Sequence, residues 1–99
     1  MNYKVEIKEE ALQDILEAAQ WYEDKKEKLG QRFTENIHTH LKYLEFLPFS
    51  HQYKFNENRE LLIKDFPYVI VYRIVDNNTV IVLAVANCKQ HPSKKRKRK

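Results

Sequence analysis

The feature that most constrains the fold is a pair of apolar runs in the last third of the sequence. Residues 68–75 read "YVIVYRIV" and residues 79–86 read "TVIVLAVA", and "DNN" separates them with residues that tolerate left-handed backbone. Such runs, rich in β-branched residues and joined by a turn, predict a β-hairpin. Both runs are apolar on both faces, which is typical of central strands that are covered on both sides. The rest of the chain must therefore supply layers for this hairpin.

The first third of the sequence predicts one strand and one helix. "YKVEIK" at residues 3–8 alternates apolar and polar side chains, which indicates a strand with one buried face. From Glu9 to about Lys28 the apolar residues recur at helical spacing. Their stripe consists of Leu12, Ile15, Leu16, Ala19 and Tyr22. Trp21 and Tyr22 are expected to pack the helices on each other and on the sheet, and Gly30 is expected to break the helix.

A second helix is predicted after this break. Its apolar stripe, spaced by four, four and three residues, consists of Phe33, Ile37, Leu41 and Leu44. Pro48 is expected to stop it. Because the link is short, the helices should lie antiparallel as a hairpin that covers one face of the sheet. After Pro48, "HQYKF" and "RELLIKDF" predict two further strands, which leaves the second face of the sheet for another partner.

Composition excludes several classes of protein. The chain of 99 residues has the length of one domain, which we expect over residues 1–92. Its one cysteine, Cys88, has no partner for an internal disulfide, and no Cys/His cluster suggests zinc, so no metal or cofactor is expected. The single glycine excludes a Gly-rich phosphate loop. Neither a signal peptide nor an apolar run of membrane-spanning length is visible, so we expect a cytoplasmic protein without a membrane partner.

The net charge of +4 conceals an uneven distribution. Residues 89–99 carry +7 and no acidic side chain, so residues 1–88 carry −3. The last six residues are all basic: Lys94, Lys95, Arg96, Lys97, Arg98 and Lys99. We expect residues 93–99 to form a disordered tail that adds sequence-independent, salt-sensitive attraction to phosphates. A role in solubility is the alternative, and the mildly acidic remainder argues against nucleic-acid binding through the folded surface.

Four segments carry a family resemblance when they are taken in order. They are "ALQDILEAAQWYE", "LGQRFTENI", "LPFSHQY", and the hairpin "FPYVIVYRI" with "VIVLAVAN". Together, from residue 3 to about 92, they resemble the RelE/ParE superfamily, the toxins of type II toxin–antitoxin operons, often named plasmid stabilisation proteins. The resemblance implies an α+β fold of order β-α-α-β-β-β, with a helical hairpin on one face of a twisted antiparallel sheet. It also implies a hetero-oligomer with a cognate antitoxin that packs along the toxin and explains the second apolar face.

The superfamily contains two activities, and the sequence departs from the pattern of one of them. RelE-like members cleave messenger RNA on the ribosome, whereas ParE-like members poison DNA gyrase. Cleavage through the 2′-hydroxyl of RNA requires several basic groups that converge on one phosphate. The nuclease pattern has an Arg after the central Tyr and a His-x-x-Arg near the end, where this chain has Val69, Asn87 and Gln90. These departures favour the ParE-like activity, with gyrase as the target.

Candidate site residues follow from each reading. For a ribosome-dependent nuclease the basic candidates are Arg59, Arg73, Lys89 and His91. For a toxin that acts by binding, the candidates for target or antitoxin contact are Lys64, Tyr68, Asn87 and Gln90. A third alternative is a non-toxic nucleic-acid-binding domain that depends on the basic tail.

Overall fold

The computed structural model describes residues 2–50, 53–55, 58–76 and 78–88. Its elements, in chain order, are β1 (Lys4–Ile7), α1 (Glu9–Lys25), α2 (Leu29–Phe46), a 3-10 turn (Pro48–Ser50), β2 (Tyr53–Phe55), β3 (Asn58–Leu62), β4 (Tyr68–Asp76) and β5 (Thr79–Asn87). The strands form one sheet in the order β1-β5-β4-β3-β2. The two helices pack on one face of it. The predicted α+β fold with a helical hairpin on a sheet is confirmed.

The β4–β5 hairpin lies at the centre of the sheet, as its two apolar runs predict. The pairing extends from Asp76↔Thr79 at the turn to Tyr68↔Asn87 at the far end. A register shift follows Val71, because Val71 opposes Ala84 whereas Tyr72 opposes Val82. The extra residue in β5 is a β-bulge, which bends the strand locally.

One strand departs from the expected antiparallel arrangement. β2, β3, β4 and β5 pair antiparallel in succession, whereas β1 pairs with β5 in parallel. A parallel pair needs a long crossover connection, and the helical hairpin with the three following strands provides one. The N–H of Tyr3 donates a hydrogen bond to the carbonyl oxygen of Glu45 (2.7 Å), so the chain enters β1 beside the end of α2.

The turn between the helices lies earlier than the sequence predicts. α1 ends at Lys25, Lys28 has a left-handed backbone (φ 71°), and Gly30 lies in the first turn of α2 instead of marking the break. The carboxylate of Glu23 joins the helices by accepting hydrogen bonds from the N–H groups of Lys28 (2.9 Å) and Gly30 (3.0 Å). A Cβ at Gly30 would overlap the carbonyl oxygen of Ala19. This glycine therefore serves close helix packing.

The core lies between the helical hairpin and the sheet. α2 contributes the predicted residues Phe33, Ile37 and Leu44. α1 is different, because the predicted core residues Leu12 and Leu16 are 48% and 56% exposed. The buried residues of α1 are Ala11, Ile15 and Ala18. Small side chains let α1 approach the sheet closely, and this orientation leaves the two leucines at the solvent margin of the apolar stripe.

The face of the sheet opposite the helices is also apolar, as expected for strands with two apolar faces. Val69 and Val71 of β4 are buried there, and Ile81 of β5 is half-buried. Leu62 and Val75 are exposed. Within the described residues no helix covers this face, so part of its apolar surface is open to solvent.

Tyr72 should make stability depend on pH in the alkaline range. Its hydroxyl is buried and donates a hydrogen bond to the carbonyl oxygen of Pro48 (2.7 Å). Burial outweighs the nearby Arg59 and raises the pKa of Tyr72 to about 12, against 10.0 for an unperturbed tyrosine. Between these values the unfolded chain has lost the proton that the folded chain keeps, so stability falls as pH rises.

We expect wild type to lose on the order of 1 kcal/mol more stability than Tyr72→Phe for each pH unit above 10. The variant itself should start about 1 kcal/mol less stable at neutral pH, because it lacks the hydrogen bond to Pro48. Urea unfolding at pH 7, 10 and 11 measures both effects. Parallel stability curves for the two proteins above pH 10 would contradict the role given to this hydroxyl.

Candidate protein-binding groove

A groove of about 740 Å³ runs between α1 and the last residues of β5. It exists because β1 pairs only with residues 79–82 of β5 before the chain turns into α1. Residues 83–87 of β5 therefore have a strand partner on their β4 side alone, within the described chain. The residues of this α1–β5 groove are Asp14, Glu17, Ala18, Trp21, Tyr22, Pro67, Tyr68, Ala84, Val85, Ala86 and Asn87.

Asp14 connects the two walls of the groove. Its Oδ2 accepts a hydrogen bond from the N–H of Val85 (3.0 Å), on the edge of β5 that β1 does not reach. The N–H and C=O of one residue point to the same side of a strand, so the carbonyl of Val85 also points to this edge. The groove therefore presents a backbone acceptor to any extended segment that lies in it.

Aromatic rings form one end of the groove. Trp21 is 54% exposed and packs edge-on against Tyr22, with ring centroids 5.1 Å apart. The ring of Tyr22 contacts those of Phe33, Phe66 and Tyr68. Burial, followed by the effect of Tyr68, raises the pKa of Tyr22. An exposed tryptophan packed on a cluster of aromatic rings is typical of the residues that dominate protein–protein binding energy.

The groove is acidic. Asp14 and Glu17 are the charged residues among those that line it in the described chain. Lys25 lies at the Trp21 end, with its Nζ 4.7 Å from the centroid of the Trp21 ring, so the acidic part of the groove is the wall that carries Asp14 and Glu17. Both belong to α1, which carries six acidic side chains and one basic side chain. Negative potential of this kind attracts cationic protein segments and repels phosphates. The groove is therefore suited to a protein segment and unsuited to RNA.

Two of the predicted binding residues meet in this groove. Tyr68 and Asn87 oppose each other in the β4–β5 ladder, and both line the groove. Lys64 lies elsewhere, exposed after the end of β3, where its carbonyl accepts a hydrogen bond from Nδ2 of Asn36 (2.6 Å). Gln90 lies outside the described residues.

The two arginines predicted for a nuclease site lie on opposite faces of the sheet. Arg59 opposes Tyr72 and is buried on the helical face, with its guanidinium carbon 5.4 Å from the ring centroid of Phe49. Arg73 follows Tyr72 and so points to the other face, where its Nε donates a hydrogen bond to Oδ1 of Asn58 (3.0 Å). These two cations do not converge on one phosphate. The other two nuclease candidates, Lys89 and His91, lie outside the described residues, as does the predicted basic tail at residues 94–99.

Sequence reasoning assigned no binding role to Trp21, Asp14 or Glu17. Tyr22 packs in the interior as expected, whereas Trp21 does not. The position of Trp21 along the helix indicates this exposure, since Trp21 lies off the apolar stripe that contains Ile15 and Tyr22. The contact between Asp14 and Val85 joins residues 71 positions apart, and no local pattern predicts such a pair.

The described residues contain no other site with a comparable set of binding groups. A second cavity of about 270 Å³ lies between α2 and β3, where His40, Tyr43 and Leu61 line it with Thr39. No group of three or more His, Cys, Asp or Glu side chains with the arrangement of a metal site occurs in the described part of the chain. Among the helices that the structure describes, none combines the length and the apolar character needed to cross a bilayer.

Replacing Asp14 with alanine should destabilise the contact between α1 and β5 that forms the groove. The N–H of Val85 would lose its acceptor, at a cost of about 1–2 kcal/mol in folding free energy. Asp14→Asn keeps a side-chain oxygen in place and should cost less. Urea unfolding measures the first effect, and hydrogen exchange at the amide of Val85 should be faster in Asp14→Ala than in Asp14→Asn. Equal exchange at this amide in both variants would contradict the contact.

Comparison with known proteins agrees with this fold. The family described as "ParE toxin of type II toxin-antitoxin system, parDE" matches residues 5–92. A solved chain described as "Chromosomal ParDE TA system from P. aeruginosa" superposes with a TM-score of 0.76 at 13% identity, over 86% of this chain and 95% of that one. No curated protein matches the sequence. The family match spans most of the chain, which therefore belongs to the ParE toxins of type II toxin–antitoxin systems.

Proposed function

We propose that this protein inhibits bacterial growth by poisoning DNA gyrase until a cognate antitoxin neutralises it. The family match over residues 5–92 supports the toxin role. Gyrase acts on DNA in the bacterial cytoplasm, so the toxin would act there. The observation that carries the choice of gyrase over messenger RNA is the distribution of charge in the described residues.

The basic side chains of the described residues are not placed where they could bind one phosphate together. Arg59 is buried on one face of the sheet and Arg73 points to the other. The large groove has two carboxylates and no basic side chain among its lining residues. A nuclease would need converging cations to stabilise the charged phosphate in the transition state. A toxin that acts through protein contacts does not have this requirement.

The α1–β5 groove is the proposed site for the antitoxin. The edge of β5 beyond Val82 has no strand partner within the described chain, and the carbonyl of Val85 on it offers an acceptor to an extended segment, as in a common mode of peptide recognition. Trp21 and Tyr68 supply aromatic surface beside this edge, and such rings often dominate binding energy. An antitoxin segment seated here would also cover Asn87.

Expression in bacterial cells tests the proposed function. We expect growth arrest with induction of the DNA-damage response while translation continues, because a poisoned gyrase leaves broken DNA. Co-expression of a small open reading frame beside this one should restore growth. Translation arrest with cleaved messenger RNA and no DNA-damage response would contradict gyrase as the target. Unaffected growth would contradict the toxin role itself.

A further inference from the structure

The α1–β5 groove lies next to the most basic part of the same chain. The N–H of Cys88 donates a hydrogen bond to the carbonyl of Pro67 (2.7 Å), and Pro67 and Asn87 both line the groove. The chain therefore leaves the described residues at the end of the groove. The segment that follows, residues 89–99, carries +7, whereas residues 1–88 carry −3.

We propose that the basic segment 89–99 binds in cis in the α1–β5 groove, against the acidic wall formed by Asp14 and Glu17. The cis contact does not depend on the toxin assignment. Its consequence, that the segment competes with the antitoxin for the groove, rests on the proposed function. An antitoxin must then displace the segment before it can bind.

The segment is long enough to reach the whole acidic wall. Fully extended, residues 89–99 span about 36 Å, at roughly 3.3 Å for each residue. The wall from Asp14 to Trp21 is about 10 Å long, because a helix rises about 1.5 Å for each residue. The segment is therefore more than three times as long as the wall, so its length does not limit the contact.

Tethering allows even a weak contact to occupy the groove for much of the time. Exposed ion pairs contribute only about 0.2–1 kcal/mol each, so the separate peptide would bind poorly. A short flexible tether, however, gives an effective concentration on the order of millimolar. Ionic strength should control occupancy, since the Debye length falls from about 10 Å at 0.1 M salt to about 3 Å at 1 M.

Fluorescence of Trp21, the one tryptophan in the chain, reports on the groove. The test compares wild type with a full-length variant in which residues 94–99 are all glutamine, using acrylamide, a neutral quencher. At low salt we expect the variant to be quenched about twofold more strongly, which is the ratio for a segment whose dissociation constant equals its effective concentration and which therefore covers the groove half of the time. In 1 M NaCl the two proteins should become equal. Equal quenching at low salt would overturn the proposal.

A matched pair of charge reversals tests the location. Glu17→Lys, in the groove, should raise quenching as much as the glutamine tail does, and combining the two should add nothing further. Glu27→Lys, which replaces an exposed glutamate in the turn after α1, should change nothing. An equal effect of Glu27→Lys would overturn the proposal, since the segment would then respond only to overall charge.

Two further measurements separate this contact from its alternatives. Tenfold dilution should leave the quenching of wild type unchanged, because a cis contact does not depend on protein concentration. Quenching that changes on dilution would assign the groove to the tail of a second copy and overturn the cis contact. The glutamine-tail protein should bind the antitoxin several-fold more tightly than wild type. Unchanged antitoxin affinity, alongside protected Trp21, would overturn the competition and leave the cis contact in place.

Discussion

Gly30→Ala should destabilise the protein by about 2–4 kcal/mol. The added Cβ would overlap the carbonyl oxygen of Ala19 and stand 3.0 Å from the Cβ of Glu23. Both atoms belong to α1, and the Ala19 oxygen is backbone, so the helices must separate to make room. Separation also weakens the hydrogen bonds from Lys28 and Gly30 to Glu23. The core residue Phe33, one turn further along α2, would lose part of its packing.

The sign of this effect distinguishes tertiary packing from helix propensity. In an exposed helix interior, glycine to alanine usually stabilises by about 1 kcal/mol, so propensity alone predicts the opposite result. Gln31→Ala is the matched control, because Gln31 is exposed in the same turn of α2, and it should change stability by less than about 0.5 kcal/mol. Urea unfolding measures both variants. A stabilised Gly30→Ala protein would show that the helices do not approach as closely as described.

Trp21→Ala should weaken antitoxin binding by about 30-fold or more, which corresponds to roughly 2 kcal/mol. Trp21 presents the largest exposed ring of the groove and rests on the half-buried ring of Tyr22. Since about half of its surface is already in solvent, its removal should disturb folding much less than it disturbs binding. Calorimetric titration of the purified antitoxin measures the affinity, and thermal unfolding measures the effect on the fold.

Phe46→Ala is the matched control for Trp21→Ala. Phe46 is also 54% exposed, but it lies at the end of α2, away from the groove lining. It should leave antitoxin affinity unchanged within about threefold. In cells, co-expressed antitoxin should rescue growth from Phe46→Ala and fail to rescue growth from Trp21→Ala. The reverse pattern would place the antitoxin at the end of α2 and contradict the groove.

The parts of the fold that depend on local pattern were predictable. The β4–β5 hairpin follows from apolar runs joined by "DNN", and α2 follows from regularly spaced apolar residues before Pro48. The sequence predicts a helix break at Gly30, whereas the structure places it in the first turn of α2, because glycine marks helix ends and also marks close packing. Only the proximity of Ala19 separates these two uses, and that is a tertiary contact.

The sequence predicts less of the α1–β5 groove. Tyr68 and Asn87 were identified through the family resemblance, and the antiparallel ladder brings them together. The groove itself arises because β1 pairs with four residues of β5 and then ends, and strand register is not readable from a single strand. Arg59 illustrates the same limit, because its burial follows from pairing with Tyr72 and not from its own segment.

Supercoiling by purified DNA gyrase tests the proposed toxin activity most directly. We predict that the full-length protein, added in molar excess without antitoxin, inhibits supercoiling and causes cleaved DNA to accumulate. Pre-incubation with the antitoxin should restore supercoiling for wild type and fail to do so for Trp21→Ala. Gyrase that supercoils and cleaves DNA at its normal rate in excess toxin would contradict the proposed activity.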